Sequence, residues 1–155
     1  TVGAIGYSIY APDELERLFG RFPPGIVQAP LNVIDRRIAA SGWLSRLRRA
    51  GVEVHTRSAF LQGLLLMGKA DRPAAFAPWG RTFSAWDEAH GGRPLATALG
   101  FALGHDAVDR VVVGVTSARE LAEIVAAAAS PPRPVPEALA SDDEALVNPA
   151  QWSRP

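Results

Sequence analysis

Four short runs rich in Val and Ile, each followed by a stretch of helical periodicity, limit what this chain can fold into more than any other feature. The runs are "TVGAIGYSIY", "GIVQAP", "GVEVHTRS" and "DRVVVGVTS", each bounded by Gly, Pro, Asp or Ser. They have the length of buried strands, and their near-continuous apolarity suits strands covered on both faces, as in a parallel sheet. After the first run, Pro12 suits a first helical position, and Leu15, Leu18, Phe19 and Phe22 are spaced to share one face. In the second helix Ser41 is the expected cap, Trp43, Leu44 and Leu47 the buried stripe and Gly51 the stop. A long insertion over 67–93 separates the third run from a helix that carries Leu95, Ala98, Leu99, Ala102 and Leu103 on one stripe. Ser117, three residues before Glu120, opens the last helix as a capping box.

Strand then helix, four times over, means right-handed βαβ units and a parallel sheet. Two architectures satisfy that order: a small doubly wound sheet, or part of a TIM-type (β/α)8 barrel. The first would bury the opening strand in the sheet interior with helices on both faces, whereas the second would carry helices on one face only. Both place their chemistry at the C-terminal ends of the strands. The stretch from Ser130 to Pro155 is proline-rich and weakly periodic. It reads as a tail packed on a 1–129 domain, with one short helix near 137–139 and Trp152 as an anchor.

Composition narrows the partners. The 155 residues are 48% hydrophobic and 21% charged, enough apolar material for one core. Sixteen basic residues balance 16 acidic ones, which argues against a nucleic-acid or anionic-membrane surface. The absence of cysteine excludes disulfides, thiolate metal sites and a cysteine nucleophile. No run approaches a membrane span and the N-terminus lacks signal-peptide features, so a cytoplasmic location is expected.

The strand-end residues are Ser8, Gln28 with Asn32, Arg57 with Ser58, and Thr116 with Ser117. No carboxylate pair or histidine pair sits among them, so this is binding chemistry more than acid–base chemistry. Capping alone accounts for Ser117. The Gln28 amide needs either a backbone partner or a ligand carboxamide, since an unpartnered one costs roughly 1–3 kcal/mol. Arg57, if buried, needs an acidic partner or a ligand. His55 suits a hydrogen-bonded structural residue better than a catalytic base, His90 and His105 read as surface, and no histidine spacing suits a metal.

Taken together, "AIGYS", "VQAPLNVIDRR", "GVEVHTRSAFLQGLLL" and "LATALGFALGHDAVDRVVVGVTSARELAEI" resemble the C-terminal half of the aldo-keto reductases from Thr1 to about Ala129. The resemblance implies strands five to eight of a (β/α)8 barrel with their helices, and NADPH, or NADH, bound along its C-terminal face. It implies that Ser8 and Gln28 hold the nicotinamide carboxamide, with Ile9 where the family has an asparagine. Arg57 takes the place of a tyrosine that stacks on the nicotinamide ring. Ser58 and Gly63 match the pyrophosphate loop, which Phe60, Leu61 and Gln62 would line. Gly114, Val115, Thr116, Ser117 and Arg119 match the loop that binds the adenosine 2'-phosphate, without the lysine common there. The family's catalytic Asp, Tyr, Lys and His come from the first four strands, so no catalytic residue is expected in this chain, and neither Tyr7 nor Tyr10 fills that role. The implied reaction is hydride transfer to a small carbonyl substrate. The missing half-barrel would come from the same chain, another chain or a second copy, with Trp79 and Trp86 of the insertion lining a substrate rim or packing on their own helix. A second reading is a non-catalytic nucleotide-binding or interaction module with the same fold.

Overall fold

The computed structural model describes residues 1–152. Four strands, β1 (Gly6–Ser8), β2 (Ile26–Pro30), β3 (Glu53–Arg57) and β4 (Arg110–Val111), form one wholly parallel sheet in the order β1-β2-β3-β4. The helices are α1 (Asp13–Leu18), α2 (Arg37–Ala40), α3 (Trp43–Arg49), α4 (Gly80–His90), α5 (Pro94–Leu103), α6 (Ala118–Ala128) and α7 (Glu144–Val147). Strand order that follows chain order, with β1 at an edge, is the pattern of a barrel segment and not of a doubly wound sheet, whose order reverses in the middle.

Register explains why the two faces differ. Paired residues of parallel strands project to the same side. The row Tyr7, Val27 and Val54 faces the helices, where Val27, Ala29 and Val54 pack with Leu15, Ile38, Trp43 and Leu47. The next row, Ser8, Gln28, His55 and Arg110, lies on the opposite face and none of its members is buried. Helices therefore cover one face, as the barrel reading requires. Gly6 has to be glycine for a local reason: a Cβ there would run into the Ile26 carbonyl.

A second apolar cluster covers the C-terminal ends of the strands. Leu61, Leu64 and Leu65 from the loop after β3 meet Phe83 and Trp86 of α4, Val33 and Ile34 after β2, and Leu139, Leu146 and Val147 from the tail. The tail is fixed there by charge as well. Arg36 donates to the Pro136 carbonyl and pairs with Glu137, while Arg37 bridges Asp35 at 2.9 Å and Glu144 at 2.5 Å.

Several expectations need correction. The first helix ends at Leu18, so Phe22 leaves its stripe and is 65% exposed. Gly42, with φ +79, holds the N-cap of α3, and Ser41 reaches the Trp43 amide only at 3.4 Å. Leu103 is 46% exposed because α5 is buried through Thr97, Ala98, Leu99, Gly100 and Ala102 instead. The insertion holds the 11-residue α4 and two 3-10 turns, and the tail holds α7 and a 3-10 turn over 149–151 beyond the expected one at Glu137–Leu139. His90 stacks edge-on against Trp86 at 5.0 Å and His105 against Phe101 at 4.9 Å, so both rings are half-buried. Trp86 is fully buried and donates to the Leu65 carbonyl; it is a core residue and does not line a rim.

Candidate functional site

The polar residues at the strand ends are positioned by a sharp change in backbone after β3. Ser58, Leu61, Gln62 and Gly63 all take positive φ, at 61°, 44°, 54° and 90°. Left-handed backbone is unfavourable for a residue with a Cβ, and the surroundings must hold it there. The holding group is Asn32. Its Nδ2 donates to the Ser58 carbonyl at 3.0 Å, and its Oδ1 accepts the Ile34 and Asp35 amides at 2.9 Å each. Gly63 is glycine for its φ, since a Cβ there would meet no atom of the chain within 4 Å.

This loop forms one wall of a cleft of about 290 Å3, lined by Arg57, Ser58, Ala59, Phe60, Gln62 and Gly63 on one side and Val112, Val113 and Gly114 on the other. Six of the expected site residues therefore gather around one opening between the ends of β3 and β4. Leu61 is not among them, because its side chain is fully buried in the second cluster.

Ser8 and Gln28 sit side by side on the open face. The Ser8 hydroxyl donates to Gln28 Oε1 at 3.1 Å, which leaves the Gln28 NH2 group and the Ser8 lone pairs turned outward. One donor and one acceptor on adjacent strands form the complement of a primary carboxamide. Ile9 contributes nothing to that pair, since its side chain is buried among Leu15 and Ile38, but its carbonyl accepts Arg57 Nη2 at 2.8 Å.

Among the described residues Arg57 has no acidic partner. Its guanidinium lies over the Tyr10 ring, 4.7 Å from the centroid, and makes only a long 3.4 Å contact to the Ser58 hydroxyl. Cation–π stacking and the Ile9 carbonyl hold this half-buried guanidinium at the cleft mouth. This also explains Tyr10, while the Tyr7 hydroxyl donates to the Phe22 carbonyl. Both phenols have structural roles.

At the start of α6, Ser117 caps Glu120 N at 3.1 Å. Glu120 in turn accepts the Thr116 amide at 2.7 Å and its hydroxyl at 3.0 Å. The Thr116 amide, and then its hydroxyl, hold the Glu120 carboxyl below the usual range, so it is charged. Arg119, 88% exposed, lies along the helix flank and pairs with Glu123 at 2.8 Å. The helix N-terminus thus already carries a carboxylate, and the arginine expected there is turned elsewhere.

His55 Nε2 bonds Glu53 at 2.7 Å, and Glu53 also accepts Arg110 Nε at 2.8 Å. The hydrogen bond with His55, then that from Arg110, lowers the Glu53 carboxyl. His55 is therefore engaged toward the N-terminal end of β3, away from the cleft. A wider hollow of about 620 Å3 opens at that opposite end, lined by Arg48, Glu53, Asp106, Asp109 and Arg110 among others. Most of its charged side chains are engaged internally: Glu53 with Arg110, Arg48 with the Asp106 carbonyl and Asp109 with the Val54 amide.

Asp35 and Arg37 were not among the residues expected to matter. Arg37 joins the Tyr10 carbonyl at 3.1 Å, Asp35 and Glu144, tying the end of β1 to the loop after β2 and to the tail. The signal was the charge run "DRR" inside an otherwise apolar stretch.

A sequential parallel sheet with helices on one face and polar groups at its strand ends is consistent with part of a (β/α)8 barrel. The chain belongs to the Aldo/keto reductase family, whose profile matches residues 1–133. Among solved structures it is similar to aldo-keto reductase AKR11C1 from Bacillus halodurans. The holo form matches with TM-score 0.68 and 21% identity over 83% of this chain and 45% of that one, and the apo form with TM-score 0.67 and 21% identity over 82% and 45%. A thermostable aldo-keto reductase, Tm1743, solved with the inhibitor epalrestat, matches with TM-score 0.56 and 20% identity over 87% of this chain and 45% of that one. At these identities the likeness is one of fold, and the chain spans less than half the length of those structures. No curated protein matches it.

Proposed function

We propose that this chain is the cofactor-binding C-terminal half of an NAD(P)H-dependent aldo-keto reductase, supplying strands five to eight, while the catalytic Asp, Tyr, Lys and His belong to the other half of the barrel. The observation that carries the reading is the Ser8–Gln28 pair, whose free donor and acceptor complement a nicotinamide carboxamide. The left-handed loop from Ser58 to Gly63 and the cleft it walls support the same reading, with Ser58, Phe60, Gln62 and Gly63 toward the pyrophosphate and Gly114, Thr116 and Ser117 beyond it. When bound, the reduced dinucleotide supplies the hydride that turns a carbonyl into an alcohol.

The chain's own residues orient and shield. Ser8 and Gln28 fix the rotation of the carboxamide, and so select which ring face is presented. Arg57 keeps a planar cation at the cleft mouth, where it offsets phosphate charge or covers a ring. Of the two dinucleotides, NADPH is what the family resemblance implies, whereas the charged Glu120 beside Thr116 supports NADH, because a carboxylate there repels a 2'-phosphate and accepts from a ribose hydroxyl.

Dinucleotide binding to the full-length protein, followed by quenching of tryptophan fluorescence, tests the reading. Saturable binding is expected, weakened several-fold by Gln28→Ala, since one such hydrogen bond is worth about 0.5–1.5 kcal/mol. Failure to bind either dinucleotide would overturn it. Binding without carbonyl reduction, with the remainder of the barrel present, would support the non-catalytic module instead.

A further inference from the structure

The groups that hold Arg57 at the cleft are uncharged. Its Nη2 donates to the Ile9 carbonyl at 2.8 Å, its guanidinium lies over the Tyr10 ring at 4.7 Å, and Nη1 reaches the Ser58 hydroxyl at 3.4 Å. Tyr10 is itself clamped from both sides, since its amide donates to Glu14 Oε1 at 2.7 Å and its carbonyl accepts Arg37 Nη2 at 3.1 Å. The ring under the guanidinium is thus a fixed platform. We propose that Arg57 makes the site selective for the redox state of its cofactor, favouring the reduced nicotinamide dinucleotide over the oxidised one. This rests on the reductase reading, in which Ser8 and Gln28 hold the nicotinamide carboxamide.

The strands place the guanidinium beside the ring that such a carboxamide carries. Arg57 lies on the same open face as the Ser8–Gln28 pair. In β3 it stands two residues beyond His55, whose partner in β2 is Gln28, so it is about 7 Å further toward the C-terminal ends of the strands. Its bond to the carbonyl of Ile9, the residue after Ser8, brings the guanidinium back across the end of β2 to the end of β1. A carboxamide is attached directly to its ring, so a ring anchored by Ser8 and Gln28 meets Arg57 at the cleft wall.

The two redox forms of the dinucleotide carry the same phosphates, riboses and adenine. They differ at the nicotinamide, which is neutral when reduced and cationic when oxidised. A guanidinium attracts the neutral, electron-rich ring and repels the cationic one. Two like unit charges about 4 Å apart change affinity about fivefold even when screened as in bulk water, and more in a half-buried cleft. Contacts to the phosphates cancel when the two forms are compared. The consequence is directional: the site takes up the hydride donor in preference and releases the spent form readily, which suits carbonyl reduction over alcohol oxidation.

Calorimetric titration of the full-length protein with NADH, NAD+ and ADP-ribose tests this, with NADPH and NADP+ alongside. ADP-ribose has the phosphates and lacks the nicotinamide. Wild type should bind the reduced form at least about fivefold more tightly than the oxidised form. Arg57→Gln should lower that ratio at least about threefold and leave ADP-ribose affinity little changed, whereas Arg57→Lys, which restores a cation, should keep most of the ratio. Gln28→Ala removes a contact common to both redox forms, so it should weaken both and leave the ratio as it was. The same ratio in wild type and Arg57→Gln would overturn the inference while leaving the reductase reading in place. So would an equal loss of ADP-ribose and NADH affinity in Arg57→Gln, which would assign Arg57 to the phosphates. A wild-type protein that binds none of the dinucleotides would remove the reductase reading itself.

Discussion

Glu120 shows how one residue can redirect a site that a motif appears to define. The stretch "GVTSARE" offers Arg119 to an anion, yet the i,i+4 geometry of α6 gives that arginine Glu123, while the helix N-terminus turns Glu120 back onto Thr116. Nothing in the order of the letters distinguishes these outcomes. At such an exposed position solvent screening weakens the effect of the charge without removing it. Glu120→Gln keeps an oxygen for the Thr116 amide and removes the charge, so the preference for NADPH over NADH should rise roughly fivefold. The ratio of the two dissociation constants, measured by fluorescence titration of wild type and variant, reads this directly, and an unchanged ratio would free Glu120 from any part in cofactor choice. Arg57 presents the opposite case. That no acidic group among the described residues pairs with it could not be inferred from sequence, because the groups that hold it are the Ile9 carbonyl and the ring of Tyr10, which the sequence offers with no apparent task.

At the scale of elements, the strands and the helices that follow them were legible because their apolar periodicity is what packs them. Trp43, Leu44 and Leu47 are spaced as a stripe and are buried as one. The loop after β2 was opaque for the converse reason. Asn32, Asp35 and Arg37 act through hydrogen bonds to backbone groups far away in sequence, and no local pattern encodes those partners. Asn32→Ala would strip the Ser58 carbonyl and two buried amides of their partner at once. Unsatisfied buried groups cost about 1–3 kcal/mol each, so the urea midpoint should fall by the equivalent of at least about 2 kcal/mol, and the left-handed turn should loosen. A loss below that would show that the loop is held by its apolar contacts alone. Arg72, in the insertion before α4, pairs with Asp87 of α4 at 2.5 Å, and that hydrogen bond lowers the Asp87 carboxyl. A depressed carboxyl binds its proton less readily folded than unfolded, so its stabilisation is complete above the unfolded pKa of about 3.9 and is lost as pH falls through the lower folded value. Asp87→Asn should be less stable at neutral pH, with a shallower decline below about pH 4. Parallel curves for the two proteins from neutrality to acid would separate Asp87 from acid sensitivity.

The whole molecule is governed by its two open sheet edges. Among the described residues β1 and β4 each pair on one side only, and both edges are flanked by exposed apolar side chains: Val2, Ile5 and Phe22 by β1, and Val112, Leu121 and Val125 by β4 and α6. Unpaired backbone groups along a strand invite another strand, and parallel edges with apolar margins do so strongly. The open face adds to this. Ser8, Gln28, His55 and Arg110 stand where a closed barrel would enclose them, and the Glu53 bridge to His55 and Arg110 already satisfies part of that charge internally. A closing partner would thus meet a polar face that needs little rearrangement. Residues 1–152 prepared alone should self-associate with rising concentration, whereas joined or mixed with the other half of the barrel they should form one species that no longer does. Sedimentation velocity across a concentration series distinguishes the two states. A lysine placed at each edge, Ile5→Lys just before β1 and Val112→Lys just after β4, both at exposed apolar positions, should reduce self-association, because strands defended by charge resist pairing. A chain that stayed monomeric at every concentration, with both edges unaltered, would show that β1 and β4 do not need a partner and would remove the case for barrel closure by a second segment.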